Sequence, residues 1–200
     1  VQFPSHQPAV AQREYLVRSR DLAGDGPLRT VLQFGIAAQD RDRDAVRDVL
    51  TPDFSFTDHR ELGFGRADRE TYVDLQATPP SDDPSLTTGI RITRIEALTD
   101  RLIVVGFKRV YLTPQGESWE AARGISVNLV HDGAQRVVEL FDDDQLDAAL
   151  ARAAELHPDG LPEGRVRVRL SGIAGQSLGA FLIGGVELHL DGTANDAVGK

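Results

Sequence analysis

Residues 42–60 read Asp-Arg-Asp-Ala-Val-Arg-Asp-Val-Leu-Thr-Pro-Asp-Phe-Ser-Phe-Thr-Asp-His-Arg, and this stretch decides the fold expected for most of the chain. In its first half, apolar residues recur between 45 and 50 at the spacing of one helical face, and Asp42 is a suitable N-cap. Pro52 ends this helix because proline disfavours a helical conformation in the residue before it. Residues 53–60 then alternate as a strand does. The stretch therefore predicts a helix that leads directly into a strand.

The predicted strand carries side chains that are typical of a pocket wall. Phe54, Phe56 and Asp58 share one face and His59 lies on the other, because successive residues of a strand point to opposite faces. Two aromatic rings, a carboxylate and an imidazole therefore come together within a short segment. If the chain has a small-molecule pocket, we expect this strand to line it.

Helix and strand periodicities extend outward from this stretch. Apolar spacing predicts helices at 28–40 and 68–77, and after a proline-rich break the period changes from 3.6 to 2. Asp132 and Gly133 predict a hairpin turn because both accept a positive φ. The strands predicted after the break are 90–92, 102–112, 119–131 and 136–141, and a helix follows at 142–156. A meander that follows helices able to cover only one of its faces predicts an α+β fold, with a cone-shaped curved antiparallel sheet over three helices.

The composition excludes several classes of function. The 200 residues include 31 acidic and 22 basic side chains, and the net charge of −9 argues against nucleic-acid or membrane-surface partners. No apolar run approaches the ~20 residues that span a bilayer. The absence of Cys excludes disulfides, thiolate metal sites, iron–sulfur clusters and a Cys nucleophile. The polar N-terminus lacks the apolar segment of a secretory signal, so we expect a cytoplasmic protein.

The order of elements and residues 42–54 resemble the SnoaL-like and nuclear-transport-factor-2-like family, which includes ketosteroid isomerases and polyketide cyclases. The resemblance covers about residues 28–156 and implies a conical cavity for a small apolar ligand. In the isomerases an Asp on this strand is the general base, and the resemblance places Asp58 there. Their oxyanion donor, a Tyr on the first helix, corresponds by spacing to Phe34, which donates no hydrogen bond.

Several residues are candidates for the site that this resemblance implies. Asp58 would act as general base with His59 beside it, since burial in an apolar cavity raises the pKa of a carboxyl group. Two other interpretations stay open: Asp58 is a polar strand end paired with Arg60, or it belongs to a ligand pocket without chemistry. Glu139 is either solvent-facing or a pocket acid. The predicted pocket residues, some of them substitutes for the missing donor, are Phe34, Phe54, Phe56, Tyr72, Tyr111, Trp119, Asn128 and Glu139.

No metal site and no cofactor are predicted. Five scattered His show no spacing typical of metal ligands. Asp142, Asp143 and Asp144 open a predicted helix, where carboxylates are favoured by the positive end of the helix dipole. We therefore expect these three acids to cap the helix. His131, beside the predicted hairpin turn, is expected on the surface.

The C-terminal segment contains an internal repeat. Val-Arg-Val-Arg-Leu begins at Val166 and Val-Glu-Leu-His-Leu begins at Val186, 20 residues later, and Gly172 matches Gly192 at the same offset. Strands followed by glycine corners at a fixed period predict two coils of a β-solenoid. The strands would then pair in parallel at that offset. A pair of strands in a hairpin is the alternative.

Residues 171–181 and 185–200 resemble the GXGXG β-helix domain at the C-terminus of the glutamate synthase large subunit. The resemblance implies a structural spacer. Glutamate synthase uses an N-terminal Cys, a flavin and an iron–sulfur cluster, so this chain, which has no Cys, is expected not to make glutamate alone. Two coils cannot bury their own ends, so we expect the segment to pack on the first domain, to pair with another chain or to fray. Its exposed edge is a candidate surface for a homo-oligomer or a partner chain.

The predicted organisation has four parts. They are a lead-in at 1–27, the α+β cone domain at 28–156, a linker at 157–165 and the GXGXG-type segment at 166–200. A repeat that stops at Lys200 favours a piece of a longer protein, and Val1 in place of Met agrees with that, although a GTG start codon would also give Val1.

Three hypotheses for the function follow. The first is a non-catalytic protein that binds a small ligand or serves assembly. The second is an enzyme of the cyclase, isomerase or dehydratase type that uses Asp58 as general base. The third is a glutamate-synthase-related accessory protein or fragment that lacks the catalytic domains.

Overall fold

The computed structural model describes residues 8–79, 83, 85–113, 117–157, 166–174 and 186–194. The chain divides into two compact units, Val1–Leu150 and Ala151–Lys200. Several predicted features lie outside the described residues. They are the start of the lead-in, the linker apart from His157, and residues 175–185 and 195–200 of the repeat.

Five helices and eight strands lie within the described residues. The helices are α1 (Pro8–Leu22), α2 (Pro27–Asp40), α3 (Arg43–Asp48), α4 (Arg69–Ala77) and α5 (Leu146–Leu156). The strands are β1 (Leu50–Asp58), β2 (Gly65–Asp68), β3 (Thr87–Leu98), β4 (Leu102–Leu112), β5 (Ser118–His131), β6 (Ala134–Phe141), β7 (Val166–Ala174) and β8 (Val186–Ala194). None of the described helices combines the length and the apolar character that crossing a membrane requires.

Strands β1 to β6 form one sheet of the first unit, in the order β2-β1-β6-β5-β4-β3. Neighbouring strands are antiparallel except β1 and β6, which run parallel. The α+β class is confirmed, and the prediction of a wholly antiparallel sheet is wrong at this pair. The parallel pair arises because β6 reaches β1 through the whole meander, and only antiparallel neighbours can be joined by a short hairpin.

Irregularities in the strand pairing bend the sheet. The register shifts twice between β3 and β4, once between β4 and β5 and once between β5 and β6. An extra residue in one strand of a pair bends that strand and increases its twist. The bent sheet leaves room for cavities between its inner face and the helices.

The inner face of β1 packs against α2 and α4. Phe54 and Phe56 lie against Tyr72 of α4, with ring centroids 5.0 and 4.6 Å apart. Phe34 of α2 stacks on the same ring at 5.8 Å, and Val46 of α3 is fully buried in this cluster. Burial of a large apolar side chain contributes about 1.5–3 kcal/mol. These contacts therefore fix the three helices on the sheet.

Residues 8–22 of the predicted lead-in form a complete helix. Helix α1 forms because Leu16, 2% exposed, packs against α2. The helices approach closely: a Cβ on Gly35 would lie 3.7 Å from both methyl carbons of Leu16. The buried Gln12 of α1 also donates a hydrogen bond to the carbonyl of Ile90 at 3.0 Å.

The helix starts and the hairpin turn follow the local sequence. Asp42 and Asp68 are the N-caps of α3 and α4, and each side chain accepts the backbone N–H of the residue three positions later, at 3.0 and 2.9 Å. At the turn between β5 and β6, Asp132 has φ 49° and Gly133 has φ 78°. The predicted Asp42 cap, the helix start near residue 68 and the Asp132-Gly133 turn are confirmed, since they depend only on short-range geometry.

Strands β7 and β8 of the second unit pair in parallel, starting with Val166 beside Val186. The predicted parallel register is confirmed, and the hairpin alternative is wrong because a hairpin pairs its strands antiparallel. Gly172 lies opposite Gly192. A Cβ on Gly192 would lie 1.8 Å from the carbonyl oxygen of Gly172, so this close approach requires glycine.

Candidate functional site

Asp58 lies at the end of β1 and holds the loop of residues 59–64 that follows. Its side chain is 0% exposed and accepts the Nε and Nη2 groups of Arg60 at 2.8 and 2.7 Å. It also accepts the backbone N–H groups of Arg60 and Phe64, both at 3.2 Å. The loop wraps this carboxylate closely, because a Cβ on Gly63 would lie 2.6 Å from the Cγ of Asp58. Asp58 therefore anchors the 59–64 loop.

The electrostatics of Asp58 differ from those expected for a general base. Burial by itself raises the pKa of Asp58, but the hydrogen bonds from Arg60 and from the backbone of Phe64 outweigh burial, and the pKa lies below its ordinary value. The pKa of Arg60 is raised in turn by its hydrogen bond to Asp58. The sequence predicts a raised pKa for Asp58, and the difference arises because Arg60 supplies a counter-charge. The general-base role stays a prediction, while the interpretation of a strand end paired with Arg60 agrees with the geometry.

The lowered pKa of Asp58 predicts a loss of stability in acid. A carboxyl group whose pKa is lower in the folded than in the unfolded state stabilises the fold above its unfolded pKa of about 3.9. That contribution to stability is lost as the pH falls from about 4 through the lower pKa of the folded state. We expect the urea midpoint of the first unit to fall between about pH 5 and pH 3, and to fall less in Asp58→Asn. Identical pH profiles for the two proteins would contradict this assignment.

A pocket of about 460 Å³, called the outer pocket, opens beside the 59–64 loop. Apolar lining comes from Phe56 of β1, Tyr72 of α4 and Phe107 of β4. Leu62 and Phe64 of the loop also line it, and they are 95% and 69% exposed. Its charged lining residues are Arg60, Glu61, Arg109, Arg123 and Asp142. Apolar walls with a few placed polar groups are typical of a small-molecule site.

Arg109 of β4 is a cation of the outer pocket that has no ion-pair partner among the described residues. It is half-buried and lines the outer pocket and two neighbouring cavities. Within the described part of the chain, its one hydrogen bond goes from Nη2 to the Oε1 of Gln76 at 3.3 Å, and no carboxylate lies within 4 Å of it. Arg60 and Arg123, in contrast, are paired with carboxylates. A half-buried guanidinium without an acid favours an anionic ligand or a strong hydrogen-bond acceptor.

Tyr72 supplies a second donor at the same place. It is 5% exposed and lines both the outer pocket and the cavity next to it. Burial raises the pKa of the Tyr72 hydroxyl, which therefore stays protonated and able to donate a hydrogen bond. The positive charge of Arg109 lowers the same pKa, but by less than burial raises it. Among the residues that the structure describes, none accepts a hydrogen bond from this hydroxyl.

A smaller space of about 50 Å³, called the inner cavity, lies between the sheet and α2. It shares Tyr72, Phe107, Arg109 and Leu140 with the outer pocket. The two spaces therefore meet at these four side chains. The neutral polar residues that line the inner cavity are Ser126, Asn128 and Gln135.

The structure brings most of the predicted pocket residues to these two spaces. Those that line the outer pocket are Phe56, Tyr72 and Tyr111. Those that line the inner cavity are Phe34, Tyr72 and Asn128. Phe54 packs in the core and lines neither space. Trp119 is 45% exposed, lies edge-on to Tyr111 with ring centroids 5.7 Å apart, and lines neither.

His59 and Glu139 lie together, away from both spaces. Strand alternation turns Glu139, which pairs with Thr57, away from the face that carries Phe56. The Nε2 of His59 lies 2.7 Å from the Oε2 of Glu139, and its ring stacks on Phe141 with centroids 4.6 Å apart. Glu139 is 3% exposed, so it is buried beside an imidazole and does not face solvent.

The aspartates before α5 support the loop and the sheet. The carboxylate of Asp142 accepts the backbone N–H of Glu61 at 3.0 Å, and Asp143 pairs with Arg94 at 2.9 Å. The predicted capping role is wrong for these two acids, since tertiary partners take up their oxygens. Within the described ranges, no group of three or more His, Asp or Glu is arranged to hold a metal ion.

Sequence reasoning missed Arg109 and Gln135. In β4, Arg109 alternates with Phe107 and Tyr111, while Lys108 takes the opposite face. This alternation is a usable signal for an inward-facing cation. Gln135 gives no such signal, because only the packing of the complete unit shows that it is 1% exposed.

A family model matches the C-terminal part of the chain. Residues 147–200 match the GXGXG motif family. The chain is 56% identical over 41 residues to the glutamate synthase [NADPH] large chain of Azospirillum brasilense, and 52% identical over 42 residues to that of Bacillus subtilis. These segments cover 20% and 21% of this chain, which spans only 3% of the length of either relative. The resemblance predicted for residues 166–200 is confirmed.

Solved structures similar to the chain include an LEH-like epoxide hydrolase of M. tuberculosis, which is 20% identical with a TM-score of 0.44 over 62% of this chain and 89% of the hydrolase. The Delta 5-3-ketosteroid isomerase of Mycobacterium sp. is 13% identical, with a TM-score of 0.44 over 62% and 92% of the two chains. An NTF2-like protein of Cytophaga hutchinsonii is 12% identical, with a TM-score of 0.41 over 58% and 89%.

Proposed function

We propose that the first unit binds a small carboxylic acid with an apolar body and does not convert it. The observation that carries this proposal is the half-buried guanidinium of Arg109, which faces the outer pocket and the inner cavity without an acid partner in the described residues. A carboxylate accepts two parallel hydrogen bonds from one guanidinium. Tyr72 supplies a further donor.

The walls of the outer pocket suit the apolar body of such a ligand. Phe56, Phe107 and Leu140 offer apolar surface beside Arg109. Leu62 and Phe64 expose large apolar side chains at the pocket, and a bound chain would cover part of them. One Arg without an acid partner in the described residues suits a single negative charge. A phosphate group carries more charge and usually meets clustered cations.

The acid and base groups of this unit support binding over catalysis. Asp58 is ionised and held by Arg60, and it is not among the residues that line either space. His59 and Glu139 belong to the opposite face of the sheet. Catalysis through Asp58 and His59 remains the alternative, and it requires turnover that Asp58→Asn abolishes.

Arg109→Met tests the proposal. Wild type should bind decanoate more tightly than 1-decanol, because only the acid gives Arg109 a counter-charge. Loss of a hydrogen bond to a charged group costs about 1.5–3 kcal/mol, so the variant should bind decanoate roughly 10- to 100-fold more weakly and lose its preference over the alcohol. Isothermal titration calorimetry at low salt measures both affinities.

Arg66→Met is the matched control. Arg66 lies exposed on β2, outside the lining of both spaces, and its removal changes the net charge equally. Decanoate affinity should stay within about twofold of wild type. An equal loss of decanoate affinity in both variants would mean that only the net charge matters, and it would overturn the role of Arg109.

For the second unit, we propose that β7 and β8 are consecutive coils of a β-solenoid. The parallel register at a 20-residue offset and the match to the GXGXG motif support this. Stacked parallel strands at a fixed period are the repeating unit of such folds. The role proposed for this unit is structural, as a spacer or assembly element.

A further inference from the structure

Gln135 of β6 carries a buried side-chain amide without a hydrogen-bond partner among the described residues. It is 1% exposed and lines the inner cavity. Neither its Nε2 nor its Oε1 is hydrogen-bonded to any residue in the described part of the chain. An unsatisfied polar group in a core is destabilising, and most buried amides in native proteins have partners. A buried amide that is destabilising in this way is a candidate for recognising a ligand.

The neighbouring polar residues already use their hydrogen-bonding groups. The Nδ2 of Asn128 donates to the carbonyl oxygens of Ser126 and Ile103 at 3.2 and 3.4 Å. The hydroxyl of Ser126 donates to the Oδ1 of Asn128 at 3.2 Å. Besides Tyr72 and Arg109 at the junction with the outer pocket, the amide of Gln135 is therefore the polar group that the described residues leave available in this cavity, with both donors and an acceptor.

The other residues that line the inner cavity limit which kind of ligand group Gln135 can bind. Val31, Phe34 and Val105 make its wall largely apolar, and among the described residues Arg109 is its one charged lining residue. A second anionic or cationic group beside Gln135 would lack a counter-charge. An apolar group would leave the amide unsatisfied. A neutral hydroxyl, which both donates and accepts, fits best.

We infer that the ligand is a hydroxy acid whose hydroxyl lies at the end remote from its carboxylate, an inference that rests on the proposed function. The inner cavity joins the outer pocket at Tyr72 and Arg109, so one molecule can reach both polar sites. Arg109 binds the carboxylate where the two spaces meet, Phe107 and Leu140 contact the chain, and Gln135 binds the hydroxyl. This assignment names a ligand class, the ω-hydroxy carboxylic acids.

Matched pairs of linear acids test the inference. The probes are hexanoate, octanoate, decanoate and dodecanoate, each with its ω-hydroxy derivative, titrated into the full chain by calorimetry. At the length that spans Arg109 and Gln135, the hydroxyl should raise affinity about tenfold. At shorter lengths it should lower affinity, because it is desolvated without a partner. Because the series covers several chain lengths, the test does not depend on an assumed distance between Arg109 and Gln135.

Gln135→Leu removes the amide and keeps the volume. In this variant, an ω-hydroxyl should not raise affinity at any chain length. The variant should also melt about 3 °C higher, because an unsatisfied buried group is gone. Gln12→Leu is the control: Gln12 is 6% exposed and its amide is bonded to Ile90 and Arg91 at 3.0 Å. It should melt at a lower temperature and retain the hydroxyl preference.

The outcomes separate this inference from the proposed function. If wild type binds none of the acids, the proposed function fails. If the acids bind through Arg109 but no ω-hydroxyl raises affinity, or Gln135→Leu keeps the gain, the inference is overturned and Gln135 is satisfied by ordered water only. A hydroxyl gain that disappears with Gln135→Leu and survives Gln12→Leu supports it.

Discussion

Asp58→Asn should lower the free energy of unfolding of the first unit by about 3 kcal/mol, the lower end of the cost of breaking a buried ion pair. The Asp58 side chain is 0% exposed and that of Arg60 is 15% exposed, so the variant leaves a buried guanidinium without its carboxylate. Urea denaturation measures the loss directly. In a thermal scan it should lower the melting temperature by about 6–12 °C.

Asp53→Asn, on the same strand, is the matched control. Its ion pair with Arg136 is 2.9 Å long, but the two side chains are 59% and 50% exposed. An exposed pair contributes at most about 1 kcal/mol. Equal destabilisation by the two variants would show that the contribution of Asp58 to the free energy of unfolding does not depend on its burial.

The same change should weaken ligand binding without removing any lining residue. Asp58 holds the backbone N–H groups of Arg60 and Phe64, so Asn, with one acceptor oxygen, cannot keep the full set of contacts. The 59–64 loop that presents Leu62 and Phe64 would then lose its anchor. We expect decanoate to bind about tenfold more weakly. Unchanged affinity would show that the loop keeps its position without Asp58.

Gly192→Val should disrupt the pairing of β7 and β8. The added Cβ would lie 1.8, 2.8 and 3.0 Å from the O, C and N atoms of Gly172. All three are backbone atoms, so no side-chain rotation relieves the clash, and the cost exceeds the 1–3 kcal/mol typical of overpacking. Hydrogen–deuterium exchange of residues 186–194 should accelerate at least tenfold.

Asp191→Ala is the control for the second unit. Asp191 is exposed and adjoins Gly192, so its truncation should leave amide exchange in β8 within about twofold of wild type. Peptides from β1 to β6 should exchange at wild-type rates in both variants. Protection of β8 that survives Gly192→Val would contradict the parallel contact between the two glycines.

Local chemistry explains why much of the fold could be predicted from the sequence. The N-caps Asp42 and Asp68 and the Asp132-Gly133 turn need only neighbours within a few residues. The alternation of β1 buries Phe54, Phe56 and Asp58 as predicted. The 20-residue repeat gave the register of β7 and β8, because identical positions of a repeat stack on one another.

The candidate site depended on contacts that a single segment cannot show. Whether Asp58 is a base or an anchor depends on Arg60, two residues away, whose side chain must fold back for the pair to form. Glu139 and His59 meet only because β6 pairs in parallel with β1. The importance of Gln135 lies in a bond that it does not make with any described residue, which no sequence pattern reports.

A crystal structure of the chain soaked or co-crystallised with decanoate is the most direct test of the central claim, that Arg109 defines an acid-binding pocket. The account predicts the carboxylate within hydrogen-bond distance of the Arg109 guanidinium and the Tyr72 hydroxyl, with the chain against Phe107 and Leu140. Decanoate bound elsewhere, or an outer pocket filled only by water at saturating decanoate, would contradict it.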